Sequence, residues 1–359
     1  SSMRIGMLTS GGDCQSLNVA MRGVAKALYE KEAEIEIYGI LDGYKGLIYG
    51  NRKKMKPSDF SGILTQGGTI LGTSRQRYIP GKDIVDENGN SLIPAMKDTY
   101  NRLNLDCLVI MGGNGTQKSA KLLMDAGMNV VTLPKTIDND IWGTDTTFGF
   151  QSAVDVATNV IDYIHSTASS HSRVFVVELM GRDAGWLTLH AGIGSGADII
   201  LIPEIPYDIN AILKAVDHRR RHGRSFSILA VAEGAKSIHD QILTEEESRR
   251  RREQSKHSTI SYEIAAQIEA ELGQEARVTV PGHYQRGGPP CPYDRVLATQ
   301  FGTAAADLIV NKQYGRMVAI QNGHIVSIPL EEAASKTKFL PTDHPLIQVA
   351  RDIGISFGD

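Results

Sequence analysis

Short apolar stretches that end in glycine or polar loops alternate along this chain with segments of helical length. The strand candidates, such as MRIGMLT, CLVIMGG, VVTLP and VFVVEL, are apolar at consecutive positions, which indicates burial on both faces. In SLNVAMRGVAKALYEK the apolar residues recur at helical spacing instead. Because such strands separated by helices are typical of parallel sheets covered on both sides, we predict a doubly wound α/β chain. In that architecture ligands bind at the carboxyl ends of the strands.

The composition argues against several classes of protein. With 359 residues, of which 41% are hydrophobic and 22% charged, the chain resembles a globular protein long enough for two domains. A net charge of −3 gives no reason to expect nucleic acid or a membrane as a partner. The apolar runs are far shorter than the ~20 residues that span a bilayer. Because Cys14, Cys107 and Cys291 are too widely separated for a disulfide framework or a metal cluster, we expect a reducing, cytoplasmic setting.

Three glycine-rich loops have the character of phosphate-binding loops. They are TSGGDC (9–14), MGGNGTQKSA (111–120) and QGGTILGTSRQR (66–77). The first is predicted to open a helix, where its two glycines let backbone N–H groups approach an anion. In the second loop we expect the helix to begin at Thr116, and the third loop delivers Arg75 and Arg77. Any one of them is also explained as plain turn chemistry.

The stretch PKTIDND (134–140) places two aspartates two residues apart. If it is extended, Thr136, Asp138 and Asp140 face one small volume and Lys135 faces the other side. Two carboxylates that close require a cation, a proton or a donor between them. The alternative is a turn, since Asp and Asn are favoured in turns for backbone reasons. Phosphate-compatible loops together with clustered carboxylates favour phosphoryl transfer.

A second group of polar residues has the character of an acceptor site for an anionic sugar. The planar fork of arginine suits a phosphate, and a glutamate at the end of a strand can accept from sugar hydroxyls. Surface solvation is the alternative for any one of these residues, and for His283 a satisfied position in the core. The group comprises His171, Arg173, Met180, Gly181, Arg182, Glu233, Arg277, His283 and Arg286.

One charge-dense segment, residues 239–258, interrupts this pattern. It carries the run from Arg249 to Arg252, but three glutamates precede the run and offset its charge. We therefore predict a solvated helix or loop there rather than a nucleic-acid site.

Taken together, these motifs resemble the 6-phosphofructokinase family. The segments LTSGGD, GGTILGTSR, GGNGT, PKTIDND, TFGF, SSHSRVFVVELMGR, IPE and GHYQRGGPPCPYDR occur in the order and spacing of that family. The resemblance extends from residue 3 to about residue 330. It implies phosphorylation of the 1-hydroxyl of fructose 6-phosphate to give fructose 1,6-bisphosphate in glycolysis, with the substrates and the chain itself as partners.

The resemblance also implies an architecture. It consists of two three-layer α/β/α domains with mostly parallel sheets and an active site in the cleft between them. The phosphoryl-donor domain would comprise residues 1–149 and about 285–332, and the fructose 6-phosphate domain residues 150–284 and about 333–359. A homodimer or homotetramer with shared active sites is expected.

Roles carry over from the family position by position. Asp138 matches the general base, with Thr136, Asp140 and Arg182 as its catalytic companions. The donor site would comprise Gly12, Arg75, Gly112, Gly113, Asn114, Gly115, Thr116 and Lys135. The fructose 6-phosphate site would comprise Thr136, Asp138, Met180, Gly181, Arg182, Glu233, His283 and Arg286, with Arg173 and Arg277 reaching in from a neighbouring subunit.

Two positions give different indications about the phosphoryl donor. ATP-using members have glycine where Gly115 stands, whereas pyrophosphate users carry a crowding aspartate there. Lys135 stands where bacterial ATP enzymes have glycine and pyrophosphate enzymes have lysine, although lysine also occurs in some ATP-using branches. We favour ATP and keep pyrophosphate as the alternative.

The metal site and any regulatory site depart from the usual pattern. The family usually has an acidic residue where Asn114 stands, and a neutral amide is a weaker ligand for Mg²⁺. We therefore expect Asp140 to carry more of the metal binding. Arg22 and Lys26 match basic effector positions, but His165 replaces another, and residues 219–227 match only partly.

Two further readings belong to other classes of protein. An NAD or lipid kinase would share the GGNG loop but would lack the MGR and GHYQRGG elements. A sensor without catalytic activity would be expected to lose Asp138 or Arg182, and both are present.

Overall fold

The structure is a computed structural model, and it describes residues 2–75, 78–79, 83–254 and 259–359. The strands are β1 Met3–Thr9, β2 Ile35–Ile40, β3 Arg52–Lys54, β4 Tyr78–Ile79, β5 Asp83–Ile84, β6 Cys107–Gly112, β7 Val130–Pro134, β8 Val174–Leu179, β9 Ile199–Leu201, β10 Ser227–Ala232, β11 Ala276–Thr279, β12 Arg316–Gln321 and β13 His324–Pro329. The helices are α1 Leu17–Lys31, α2 Tyr44–Tyr49, α3 Ile93–Arg102, α4 Asn114–Asp125, α5 Phe150–Ala168, α6 Trp186–Ser195, α7 Ile209–Arg221, α8 Glu245–Gln254, α9 Ile260–Leu272, α10 Pro292–Val310, α11 Leu330–Ala333 and α12 Pro345–Asp352. Short 3₁₀ turns cover Pro57–Phe60, Asp240–Ile242 and Gly282–Arg286.

The chain divides into two compact units, each formed by two segments. Unit 1 comprises Ser1–Ser152 and Arg286–Lys338, and unit 2 comprises Ala153–Gln285 and Phe339–Asp359. The second segment of unit 1 begins at residue 286 and ends at residue 338, whereas the resemblance implied a segment from about 285 to 332.

Unit 1 is built on a seven-stranded sheet in the order β13-β12-β7-β6-β1-β2-β3. The five strands from β12 to β2 are parallel, and an antiparallel strand lies at each edge. Since the chain runs from β1 to β2 on one side and later to β6 on the other, the strand order reverses next to β1. Such a reversal is where open α/β sheets bind their ligands.

Helices cover both faces of this sheet. On one face Leu108 and Ile110 of β6 belong to an apolar core with Met96 of α3 and Leu123 of α4. On the other face α1 packs against α10, so closely that a Cβ added to Gly302 would lie 2.7 Å from the backbone nitrogen of Val24. No side chain fits at that crossing, which explains the glycine.

Unit 2 has a four-stranded parallel sheet in the order β11-β8-β10-β9. One face packs against α7 and α9, with Val176 and Leu229 in a core with Ile212 and Ile264. Helix α6 contacts β9 and β10, where Gly192 faces Ile200 and Ala230. The predicted fold class, doubly wound α/β with mostly parallel sheets, is confirmed.

Several local expectations require correction. The first glycine loop does not open a helix, because α1 begins only at Leu17. Helix α4 begins at Asn114 rather than at Thr116, with Gly113 as its N-cap residue. Strands β11, β12 and β13 had not been predicted from the sequence.

The charge-dense segment was predicted to be a solvated helix or loop, and it contains helix α8, which ends at Gln254. Residues 255–258 of this segment lie outside the described part of the chain. Within the part that the structure describes, no helix has both the length and the apolar character needed to cross a bilayer.

Candidate active site

Three neighbouring strands of unit 1, β1, β6 and β7, end at the same edge of the sheet because they are parallel. The three loops that follow them are joined by backbone hydrogen bonds. Ser10 N donates to Met111 O at 3.0 Å, and Lys135 N donates to Gly112 O at 3.1 Å. These bonds place the first glycine loop (residues 9–14), the second glycine loop (residues 112–116) and the TIDND turn (residues 136–140) side by side.

The predicted third loop also reaches this edge. Thr73 donates its hydroxyl to Gly11 O at 2.6 Å, and Gly11 N donates to Ser74 O at 3.3 Å. Gly11 has φ of +81°, a conformation that glycine adopts without strain. Arg75 follows directly and is exposed, whereas Arg77 lies outside the described residues.

Three cations surround Gly12. The ammonium of Lys135 donates to Gly12 O, and Arg286 donates from Nη1 to Asp13 O at 3.1 Å. A Cβ added to Gly12 would lie 2.8 Å from Cζ of Arg286 and 3.1 Å from Nη2 of Arg75. Only glycine therefore permits the guanidinium groups to come this close to the backbone. We call Arg75, Lys135 and Arg286 the Gly12 cluster.

The Gly12 cluster concentrates positive charge. Lys135 is only 3% exposed, and its burial lowers the pKa of the ammonium to about 8. The charges of Arg286 and Arg75 contribute to this lowering of the pKa, while Cys14 and Asp138 oppose it. Burying the ammonium next to two guanidinium groups costs free energy. A bound anion would offset that cost because it would stabilise all three positive charges, so the cluster provides a site for an anion.

The second glycine loop leaves space beside this cluster. A Cβ added to Gly115 would meet no atom within 4 Å, so an additional group can be accommodated there. Gly112 contacts the side chain of the buried Thr116, and Gly113 lies against Thr136. The Asn114 amide nitrogen donates to Asp140 O at 2.9 Å, which ties this loop to the TIDND turn.

The TIDND turn is bent rather than extended. Asp138 N donates to the hydroxyl of Thr136 at 3.0 Å, and Asn139 has φ of +55°. The turn interpretation is therefore correct for the backbone, and the extended one is wrong. Asp138 and Asp140 are only 5% and 7% exposed. Contrary to the extended interpretation, Lys135 is close enough to Asp138 for their charges to interact.

The oxygen atoms at the TIDND turn fit a Mg²⁺ ion that is bound partly by the protein and partly by a phosphate substrate. Among the described residues no group of three or more His, Cys, Asp or Glu side chains is arranged to hold a metal ion. Mg²⁺ is commonly bound by one or two carboxylates, waters and substrate phosphates, which does not require such a cage. Asp140 supplies such a carboxylate, and Asn114, whose amide nitrogen donates to Asp140 O, offers only a neutral amide oxygen.

In unit 2 the predicted sugar residues follow the carboxyl ends of β8 and β10. Glu233 N donates to Leu179 O at 2.8 Å, which places the two loops together. Arg182 N donates to the carboxylate of Glu233 at 3.3 Å, and Met180 N donates to Gln285 Oε1 at 3.1 Å. Gly181 and Arg182 both have positive φ, so the chain turns sharply there.

The side chains at this second edge are exposed. Arg182, Glu233 and His283 all lie at the surface of unit 2, and His283 belongs to the 3₁₀ turn Gly282–Arg286. The interpretation of His283 as a core histidine is therefore wrong. Arg286 ends the same turn but lies in unit 1, within the Gly12 cluster.

Arg173 and Arg277 are not brought together with Arg182 and Glu233. Arg173 precedes β8, and Arg277 lies opposite Phe175 near the beginning of that strand. The six residues of β8 separate the two groups by roughly 20 Å at ~3.3 Å per residue. At their own edge both arginines pair with Glu275, Arg173 at 2.7 Å. The hydrogen bond from Arg173, together with the charge of both arginines, lowers the pKa of that carboxyl.

The residues matching a regulatory site are distributed over both units. Arg22 and Lys26 lie one turn apart on α1. His165 packs edge-on against Phe226 in unit 2. In the 219–227 region Arg219 forms an ion pair with Asp198 at 2.9 Å.

Sequence reasoning missed three residues that shape these sites, namely Asn139, Glu275 and Lys338. Asn139 lies within the quoted PKTIDND motif and could have been noticed, because asparagine tolerates positive φ. Glu275 stands two residues before Arg277, and in a strand such positions share a face. The ammonium of Lys338 donates to Asn139 Oδ1 at 3.3 Å, and no sequence signal connects Lys338 with the TIDND turn, which lies about 200 residues earlier.

Comparison with known proteins identifies the family. The family model described as phosphofructokinase matches residues 4–309. The chain is 55% identical over 358 residues to the ATP-dependent 6-phosphofructokinase of Spirochaeta thermophila, covering 99% of this chain and 97% of that protein. It is 46% identical over 375 residues to the ATP-dependent 6-phosphofructokinase of Propionibacterium freudenreichii subsp. shermanii, and each chain is covered completely.

Solved structures agree with this assignment. The Pichia pastoris phosphofructokinase in the T-state superimposes with a TM-score of 0.80 at 33% identity, covering 93% of this chain. This chain spans only 36% of that longer protein. The pyrophosphate-dependent phosphofructokinase of Marinobacter aquaeolei superimposes with a TM-score of 0.79 at 20% identity, covering 99% of this chain and 88% of that one, and supports the fold alone. This chain belongs to the phosphofructokinase family.

Proposed function

We propose that this chain is an ATP-dependent 6-phosphofructokinase. It transfers the γ-phosphoryl group of ATP to the 1-hydroxyl of fructose 6-phosphate and forms fructose 1,6-bisphosphate and ADP, a step of glycolysis. The observation that carries the proposal is the Gly12 cluster, which gathers three cations around one backbone position and brings Lys135 close enough to the buried Asp138 for their charges to interact. The activity named for the 55% and 46% identical relatives supports it.

The residues of unit 1 hold the donor. Arg75 and Lys135 of the Gly12 cluster and the backbone of the second glycine loop bind the phosphates, because fixed cations and N–H groups stabilise their charge without reorganisation. The open space at Gly115 leaves room for the nucleotide beyond the transferred group. Asp140 would hold Mg²⁺, which neutralises phosphate charge when it is bound.

Asp138 is the general base. It accepts the proton of the 1-hydroxyl as that oxygen attacks the γ-phosphorus, and the bond from this phosphorus to the bridging oxygen breaks to release ADP. Thr136 fixes the backbone of Asp138 through the 3.0 Å hydrogen bond from the Asp138 amide. Burial of Asp138 keeps water away from the base, so that the sugar hydroxyl is the group it deprotonates.

The residues predicted for the sugar phosphate hold the acceptor. Glu233 accepts hydrogen bonds from sugar hydroxyls, Met180 and Gly181 pack against the sugar, and Arg182 stabilises charge on the transferred phosphoryl group. His283 and Arg286 bind the 6-phosphate. A cytoplasmic setting is part of the proposal, and the free thiols of Cys14, Cys107 and Cys291 support it.

Self-association completes the acceptor site in this proposal. Arg173 and Arg277 lie at the opposite end of β8 from Arg182, so one subunit cannot bring them all to one sugar phosphate. They would serve a neighbouring subunit in a homodimer or homotetramer.

The direct test compares initial rates with fructose 6-phosphate and either ATP or pyrophosphate. We expect turnover with ATP, and turnover with pyrophosphate alone would overturn the donor assignment. The variant Gly115→Asp sharpens the test, because a carboxylate beside the donor phosphates is repelled by several kcal/mol at short range. ATP activity should be abolished, and weak activity with pyrophosphate should emerge because Lys135 remains.

The matched control is Gly115→Ala, which adds a methyl group to the same open space without charge. It should retain ATP activity. Because aspartate is stabilising in the first turn of a helix, loss of activity in Gly115→Asp would report on the site rather than on folding of α4. The variant Lys135→Gly removes one cation of the Gly12 cluster, so activity with ATP should fall by about one to two decades, as expected for loss of a charge-assisted contact to phosphate.

A further inference from the structure

The chain returns to the TIDND turn after α11, close to the end of unit 1. Thr337 forms an antiparallel bridge with Ile141, and Lys338 N donates to Asp140 O at 2.9 Å. The same carbonyl accepts from the amide nitrogen of Asn114 at 2.9 Å. The backbone of Asp140 is thus held by two donors that belong to different segments of unit 1.

The side chain of Lys338 reaches the same turn. Its ammonium donates to Thr144 O at 2.8 Å, to Asp145 O at 3.0 Å and to Asn139 Oδ1 at 3.3 Å. An ammonium has three N–H donors, and these three acceptors match them. The contacts join the turn to the loop that follows it.

Asn139 is the residue that requires this support. Its φ of +55° is a sparsely populated conformation, which persists only where the surroundings impose it. Its side-chain oxygen accepts from Thr147 N at 3.0 Å as well as from Lys338. Since Asn139 lies between Asp138 and Asp140, its conformation determines the direction of both carboxylates.

We propose that Lys338 is a positioning residue for the phosphoryl transfer reaction. It holds Asn139 in its left-handed conformation and Asp140 at its carbonyl, and thereby keeps the base Asp138 and the metal-binding carboxylate of Asp140 in their reactive orientations. This inference rests on the proposed function. Lys338 lies outside residues 4–309, which the family model matches.

The test compares Lys338→Met, Lys338→Arg and the control Lys336→Met. Lys336 lies on the same segment but stacks on the ring of Trp142 at 3.7 Å. Loss of a supporting hydrogen bond around a metal-binding carboxylate lowers activity by about ten- to a hundredfold. We expect Lys338→Met to lower kcat by that factor, to leave KM for fructose 6-phosphate nearly unchanged and to raise the Mg²⁺ concentration that gives half-maximal rate.

Lys338→Arg should recover part of the lost kcat, because arginine supplies several donors, and Lys336→Met should behave like the wild type. A merely structural role would lower the melting temperature and the amount of active enzyme without shifting the Mg²⁺ dependence. An unchanged kcat in Lys338→Met, or a rise in KM for fructose 6-phosphate without a fall in kcat, would overturn the inference.

Hydrogen exchange provides a readout that does not depend on activity. In Lys338→Met, amides of residues 136–147 should exchange faster, above all Thr147, whose N–H is bonded to Asn139. Exchange elsewhere in unit 1 and in Lys336→Met should be unchanged. If the wild type showed no kinase activity, the proposed function would fail while this measurement still decided the role of Lys338. Unchanged exchange of the turn would contradict that role.

Discussion

The carboxyl edges of the two sheets carry polar residues of opposite character. In unit 1, Lys135, Asp138 and Asp140 are almost completely buried and are joined to neighbouring loops by backbone hydrogen bonds. In unit 2, Arg182 and Glu233 are exposed, and the backbone N–H of Arg182 donates to the Glu233 carboxylate at 3.3 Å. The first edge is therefore ordered by the fold itself, whereas the second presents long side chains to solvent.

The difference indicates how the two substrates are handled. Groups that take a proton or stabilise developing charge act best when they are fixed and dry, because no reorganisation is then needed during the reaction. Groups that select a sugar phosphate can be ordered by the ligand itself, at the cost of side-chain entropy. Substitutions at the first edge should therefore lower kcat, and those at the second should raise KM.

The largest effect is expected for Asp138→Asn. The amide keeps the size of the carboxylate but cannot accept the proton, and a positioned general base contributes ~10²–10⁴-fold. We expect kcat to fall by at least that factor while affinity for fructose 6-phosphate changes much less. Steady-state kinetics and equilibrium binding of fructose 6-phosphate measure the two quantities separately.

The matched control is Asp155→Asn, which neutralises an exposed carboxylate on α5. It should leave both constants unchanged. Near-normal kcat in Asp138→Asn would remove Asp138 from the mechanism and with it the contrast between the two edges.

A smaller effect, confined to the acceptor, is expected for Arg173→Ala and Arg277→Ala. Loss of a charge-assisted contact to phosphate costs roughly 1.5–3 kcal/mol, or about one to two decades. KM for fructose 6-phosphate should rise by that factor and KM for ATP should remain nearly constant. Arg102→Ala, which removes an exposed arginine of unit 1, is the control and should change neither.

Hybrid enzymes test whether these arginines serve a neighbouring subunit. Mixing inactive Asp138→Asn subunits with Arg173→Ala subunits should restore some activity, since one site in the mixture would regain both residues. Absence of recovery in hybrids shown to assemble would count against shared sites.

The smallest effect concerns the pH dependence of stability. Below pH 8 Lys135 is charged in the folded and unfolded states, and its burial destabilises the fold. Its pKa is about 8 when folded and 10.5 in the reference state, so the unfolded chain binds more protons between these values. Stability of the wild type relative to Lys135→Met should therefore rise between pH 8 and pH 10.5, by at most ~1.4 kcal/mol per pH unit.

Denaturant unfolding at several pH values measures this difference, with Lys214→Met in unit 2 as the control for an exposed lysine. If the difference in free energy of unfolding between wild type and Lys135→Met did not change with pH, the ammonium would be better solvated than its burial indicates.

Repetitive features of the sequence predicted the fold, and contiguous motifs predicted the candidate site. The strands β1, β6, β7 and β8 were recognisable because burial on both faces makes most of their residues apolar. The Gly115 and TIDND segments were recognisable because a few adjacent residues carry their chemistry. The site roles remain predictions until the kinetic tests are made.

Features that depend on distant segments could not be predicted. The edge strands β3 and β13 are short or partly exposed, and their pairing depends on strands elsewhere in the sheet. Only the folded chain brings Lys338 to Asn139 and Arg286 to Gly12.

The close crossing of α1 and α10 has a consequence for synthesis of the chain. About 275 residues separate the beginnings of these two helices, so at ~5–20 residues per second the ribosome needs roughly 15–55 s to supply the second. All four strands of the smaller sheet, by contrast, lie between Val174 and Thr279 and emerge before α10. The smaller sheet can therefore pair while one face of the larger sheet is still uncovered. During that interval the nascent chain presents an apolar surface that a chaperone would be expected to bind.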